Sequence, residues 1–186
     1  MTYPLPVAFS RILTYMSTQD EIKKLEASGI LVRYMPRNPR PPKRRLFLAP
    51  DAQKDLTDPS SATNSLVGKA FIVAALERWV LGERVYGTRR GEFLDRIDPP
   101  PPEIWEIRVT PPSVQARLFG RFAEPDTLIV TKFHTRSMLG NKGSQGWTHA
   151  MSACDKCWAG LFPATPCFSA GTIHAYVTEN CDDYPI

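Results

Sequence analysis

The sequence predicts an α+β fold in which helices cover an antiparallel sheet, and three observations carry that reading. Between Ile104 and Ser137, three successive segments alternate apolar and polar residues: Ile104 to Val109, Gln115 to Ala123, and Leu128 to Ser137. A helical pattern precedes them, from Leu66 to about Leu81, and another follows over 147–161. A period of two sends alternate side chains to opposite faces of a strand, whereas a period near 3.6 marks a helix.

The bulk properties set the frame. A chain of 186 residues suits one domain with appendages. The sequence divides into an N-terminal extension (1–45), a central domain (46–162) and a C-terminal tail (163–186). An apolar content of 42% is enough for a core, and the net charge of +4 is a weak pointer to an acidic partner. No apolar run reaches the roughly 18 residues of a membrane span, so no membrane partner is expected. The first residues lack the basic start and apolar centre of a signal peptide. All four cysteines lie in the last 33 residues, where a secreted framework would staple the whole chain. The expected compartment is a reducing cytoplasm.

In chain order, Thr18 followed by Glu21 forms a capping-box pattern, and Ile22 and Leu25 give a short apolar stripe that Gly29 ends. Residues 33–45 interleave prolines with Arg33, Arg37, Arg40, Lys43, Arg44 and Arg45, without one acidic residue. That composition predicts an extended linker, either a basic arm for nucleic acid or a solvated connection. Leu46 to Ala49 is a candidate first strand, and Asp51 caps a brief helix through Leu56. The long helix takes its cap from Thr63, Asn64 or Ser65 and ends at Gly82. It is apolar around much of its circumference and should be well buried over the sheet. Phe93, Leu94 and Ile97 are expected to form one turn that packs down, and four prolines (Pro99 to Pro102) bring an extended chain to the first sheet strand.

The turn Glu124-Pro125-Asp126-Thr127 suits a hairpin. It predicts the pairs Ala123–Leu128, Arg121–Val130, Phe119–Lys132 and Arg117–His134, with Gln115 beside Arg136. One face then carries Arg117, Phe119, Arg121, Lys132, His134 and Arg136; Leu118, Phe122, Ile129 and Phe133 take the other. Cations opposed across strands repel unless an anion relieves them. That face therefore reads as an anion site, although an ordinary solvated sheet face has the same alternation.

The same residues carry a resemblance. Trp105-Glu106-Ile107-Arg108-Val109, the strand Arg117-Leu118-Phe119-Gly120-Arg121-Phe122, and Leu128 to Ser137 before a terminal helix resemble the RelE/HigB-like toxin superfamily in its phage-derived branch. That family has a Leu-Trp-Glu-Leu-Arg-Val strand, an Arg-Val-Leu-Tyr-like strand and a His-Gly-Phe-x-Lys-Lys-Ser segment. The likeness covers roughly residues 46–160 and is specific over 104–137. It implies a small α+β domain, with two N-terminal helices on an antiparallel sheet and a C-terminal helix. It also implies a type II toxin that cleaves mRNA, on the ribosome, without a cofactor, and a helix-turn-helix antitoxin as partner. Trp105, Glu106, Arg108 and Val109 match the first strand, Arg117 or Arg121 the second-strand arginine, Phe133 the phenylalanine, and Arg136 and Ser137 the end of the last element. The family histidine falls on Thr131, its glycine on Lys132 and its first lysine on Thr135.

In such an enzyme the 2′-hydroxyl attacks the adjacent phosphorus, which requires a base, charge on the phosphorane and an acid for the leaving oxygen. Arginines supply the charge through bidentate contacts. His134 titrates nearest neutrality on this face and suits the base or acid. The candidate catalytic residues are thus Arg121, Arg117, His134 and Arg136. Arg108, Lys132 and Lys142 are candidates for RNA phosphates, and Phe119 for stacking on a base, unless it lies under the terminal helix. A catalytically inactive relative that binds RNA or a host protein through the same face is the alternative.

The glycine-rich loop Gly140 to Gly146 lacks the spacing of a P-loop. The last helix should align Trp147, Met151, Cys154 and Trp158 as a core stripe. Cys154 and Cys157, with Cys167 and Cys181 and with His149 and His174 nearby in sequence, leave three states open: structural zinc, disulfides or free thiols.

Overall fold

The structure is a computed structural model that describes residues 17–61, 68–85, 93–97, 103–111 and 115–182. The proposed caps at Thr63 to Ser65, the helix start at Leu66 and Pro99 to Pro102 lie outside these residues. A first helix, α1 (Thr18–Ala27), leads into the short strands β1 (Val32–Arg33) and β2 (Arg45–Leu48), then α2 (Pro50–Thr57) and α3 (Lys69–Val80). Strands β3 (Leu94–Arg96), β4 (Trp105–Val109), β5 (Ala116–Glu124) and β6 (Thr127–Thr135) follow, then α4 (Arg136–Leu139), α5 (Gln145–Leu161) and α6 (Ile173–Tyr176).

The six strands form one sheet in the order β1-β2-β6-β5-β4-β3. The expected antiparallel meander is present in β4, β5 and β6, but the sheet is mixed, because β2 runs parallel to β6 with Phe47 opposite Ile129. The composition of β2 explains its interior place. Leu46, Phe47 and Leu48 are all buried, as a strand covered on both faces requires.

Helices cover both faces, which corrects the expectation of one covered face and one open face. On one side Ile72, Leu76 and Trp79 of α3, with Ile173 and Tyr176 of α6, pack against Leu46, Trp105, Ile107, Leu118, Phe122, Leu128 and Val130. On the other, Ile22 of α1 and Trp158 of α5 share a cluster with Phe47, Ala123 and Ile129. Trp147, Ala150 and Cys154 of α5 close over Ile104 and Phe119. The stripe anticipated on α5 is therefore the device that seals the second face.

Local chemistry sets the ends. Ser17, one residue before the expected cap, holds α1 through its hydroxyl, which accepts from the Asp20 amide at 3.2 Å. At the other helix, α3 ends beside Gly82, whose φ of +68° lets the chain leave in a left-handed conformation. Its outer side differs from the expectation of burial, since Phe71 is 48% exposed.

Three further segments depart from their sequence reading. Residues 94–96 form an edge strand paired with β4 instead of a packed turn. The basic linker is tied down: Arg40 pairs with Glu83, Lys43 with Glu179, Arg44 with Asp126 and Arg45 with Glu124. The arm reading thus loses most of its cations to internal carboxylates. The segment after 162, anticipated as a tail, supplies Ile173, Tyr176 and Val177, each fully buried.

Candidate nucleic-acid interface

The hairpin predicted from sequence forms with a changed register. Arg117 pairs with His134 and Phe119 with Lys132, as expected, and the Arg136 amide donates to the Gln115 carbonyl at 2.7 Å. Beyond Phe119 the ladder shifts, so Gly120 pairs with Val130 and Arg121 with Ile129. Thr131 is the extra residue, a β-bulge that reverses the facing of everything before it on β6. Ile129, expected on the face of Leu118, therefore joins the opposite face with Phe47 and Trp158. The Thr131 hydroxyl donates to the Phe119 carbonyl at 3.1 Å and closes the bulge.

The face that was to be open and basic lies beneath α5, and its cations are spoken for. Arg108 of β4 pairs with Glu106 at 2.7 Å and with Asp95 of β3. The Arg117 Nε lies 3.2 Å from the other Glu106 oxygen, an ion pair without hydrogen-bond alignment. Its two Nη atoms donate to the Ala116 carbonyl at 2.9 Å and to the Gln115 side chain at 3.3 Å. Arg121 meets Asp155 of α5 at 2.7 Å, and Lys132 meets Asp51 of α2 at 3.3 Å. The repulsion foreseen between strand-borne cations is thus relieved by carboxylates of the protein itself. Burial raises the Glu106 and Asp95 carboxyls above the ordinary range, although the neighbouring arginines oppose it.

Phe119 is not a free stacking surface. It is fully buried, with the Trp147 ring at 5.5 Å and the His134 ring at 5.0 Å. The alternative position, under the terminal helix, is the one it takes. Burial first, and then the Lys132 charge, lower the His134 imidazole to about 4. It is neutral at pH 7, and its Nε2 is buried without a hydrogen-bond partner among the described residues.

Two of the predicted cations remain outside this network. Arg136, half-buried at the start of α4, stacks its guanidinium over the Trp147 ring at 5.6 Å and has no ion pair among the described residues. Lys142 is exposed in the following turn and also has none. Met138 projects between them in sequence, 64% exposed. Lys142 lies near enough to Asp95 of β3 to oppose the rise of its carboxyl, and Lys132 stays paired with Asp51.

No family model, curated protein or solved structure matches this chain. Its chemistry must therefore be read from the residues themselves. For metal binding they give no support, because no three His, Cys, Asp or Glu side chains gather among the described residues. No disulfide joins Cys154, Cys157, Cys167 and Cys181, and among the described residues they do not gather with His149 or His174 into a metal-binding group. Burial pushes the Cys154 thiol up to about 12, so it is a small core residue and no nucleophile.

Sequence reasoning missed Asp95, Glu106 and Asp155 as counter-charges. Glu106 and Arg108 share a strand face by simple alternation, so that pairing was available from sequence. Asp155 was not, because nothing local places it over Arg121.

Proposed function

We propose that the chain is a RelE/HigB-like protein that binds RNA through Arg136 and Lys142 and does not cleave it. The carrying observation is the division of the predicted cations. Arg108, Arg117 and Arg121 are held in ion pairs, whereas half-buried Arg136 and exposed Lys142 make none among the described residues, Lys142 acting on Asp95 only at longer range. A guanidinium and an ammonium of this kind suit phosphate, which is recognised by charge-assisted hydrogen bonds. The antiparallel β4–β5–β6 meander after α2 and α3 agrees with the RelE/HigB-like reading, whereas the parallel β2 and the helix count and order depart from it. Silence in catalysis follows from a neutral, half-buried His134 and from the threonines at 131 and 135.

The test is fluorescence anisotropy with a labelled oligouridylate across a salt series. The double variant Arg136→Ala/Lys142→Ala should bind at least about tenfold more weakly, with a shallower salt dependence of about 0.7 per lost phosphate contact. Arg121→Ala should bind as the unmodified protein does. Equal binding by the double variant, or no binding by the unmodified chain, sinks the reading.

A second reading, the type II mRNA endonuclease toxin with a helix-turn-helix antitoxin, draws on one observation: His134 lies directly opposite Arg117. Induction in bacteria decides it. Growth arrest with cut mRNA, abolished by Arg121→Ala and by His134→Ala, would replace the silent reading with the enzymatic one.

A further inference from the structure

We infer that Trp147 is a positioning residue for Arg136, so that this guanidinium is aimed in advance at a phosphate. This rests on the RNA-binding reading of Arg136 and adds the residue that holds it.

The indole is itself fixed on three sides. It is 4% exposed, its Nε1 donates to the Gly140 carbonyl at 3.2 Å, and its ring packs on Phe119. The helix that carries it is pressed against the preceding turn. A Cβ at Gly146 would sit 2.7 Å from the Leu139 carbonyl oxygen and 2.8 Å from that of Met138, so only glycine permits this approach of α5 to α4. The Ser144 hydroxyl adds a bond to the Leu139 carbonyl at 2.6 Å. The floor beneath Arg136 is thus rigid, and the Arg136 backbone is pinned to Gln115.

A surface arginine ordinarily samples many rotamers, and ordering it opposes each contact it makes. Stacking on an indole restricts that freedom in advance, because the cation is attracted to the ring face. The planar fork is then held ready for two phosphate oxygens. Lys142 has no ring beneath it among the described residues and contributes charge without direction. Trp147 therefore acts on RNA through Arg136 and not by contact.

Two measurements test this. The first is NMR of arginine Nε–H groups in the unmodified protein. Arg136 should show a ring-current-displaced resonance and slower internal motion than exposed Arg37; equal mobility and an undisplaced shift overturn the inference. The second is a double-mutant cycle on oligouridylate binding. Trp147→Leu and Arg136→Ala should each weaken binding by about tenfold, and the double variant no further. Trp147→Phe, which keeps an aromatic floor, should stay within about twofold of the unmodified chain. Additive losses would show a merely structural tryptophan and overturn the inference. If the unmodified chain binds no oligouridylate, the RNA reading fails, while the NMR result still decides the positioning role.

Discussion

Glu106 and Arg117 meet diagonally across neighbouring strands, 3.2 Å apart between Oε2 and Nε, in a place where the sequence alone suggested bare positive charge. The other Glu106 oxygen holds Arg108, so one carboxylate bridges two guanidiniums under α5. Removing it takes from Arg117 its ion-pair partner and from Arg108 one of two. Glu106→Ala should therefore destabilise the fold by about 3–5 kcal/mol, as expected when one partner of a buried ion pair is lost. Glu106→Gln, which keeps shape and an acceptor, should cost less. Urea unfolding provides the check. A change below about 1 kcal/mol for Glu106→Ala would mean that the arginines find other partners or water.

The His134 environment gives a prediction in pH. Its folded value, about 4, lies below the ordinary 6.5, held there first by burial and then by the Lys132 charge. Between these values the unfolded chain binds a proton that the native chain refuses. Stability is then full above pH 6.5 and falls as pH drops toward 4, by about 3 kcal/mol for this group. Glu106 and Asp95, raised by burial, act in the opposite sense at acid pH, so the effect must be read as a difference. His134→Gln should lose less stability than the unmodified protein between pH 6.5 and 4. Parallel stability–pH curves for the two would refute a neutral imidazole in the folded chain.

Gly120 controls the bulge that redirects β6. A Cβ there would lie 2.3 Å from the Ile129 carbonyl oxygen, with the Ile129 carbonyl carbon and Val130 Cα close behind. Those atoms are backbone in the middle of the sheet and cannot swing aside. Gly120→Ala should cost about 2–4 kcal/mol, at the upper end of single substitutions, and lower the melting temperature accordingly. A melting temperature within about 2 °C of the unmodified protein would show that the bulge relaxes freely.

This bulge also marks how far the sequence could be read. Alternation located β4, β5 and β6, and the Pro125-Asp126 turn correctly placed Arg117 against His134. The same rule then misplaced Ile129, because a period of two cannot announce an extra residue at Thr131. The open basic face failed for a different reason. The Trp147–Trp158 stripe was legible as a core surface, but its target was not, since period and composition do not say which face a distant helix covers. Asp155 and Asp95 neutralise Arg121 and Arg108 from other elements, and long-range pairing of that kind leaves no local pattern. The parallel strand β2 was found as a strand and missed as a neighbour of β6, again a question of topology.

The C-terminal segment is locked to the sheet by one hydroxyl. Tyr176 is fully buried among Trp105, Phe122 and Phe168, and its OH donates to Glu103 Oε2 at 2.8 Å while accepting from the Ala170 amide at 2.7 Å. Glu103 also receives Ser169 at 2.7 Å and is paired with Arg96, so the tyrosine completes the shell of a buried carboxylate. Tyr176→Phe preserves the ring packing and deletes only the hydroxyl's contacts with Glu103 and Ala170. It leaves a carboxylate oxygen and an amide without that partner, a loss of about 1–3 kcal/mol. Hydrogen exchange separates this from a general loosening. Amides of 168–177 should exchange faster in the variant, while those of β5 should change only by the global loss of stability. Unchanged exchange across 168–177 would mean that packing alone, without the hydroxyl, fastens this segment to the core.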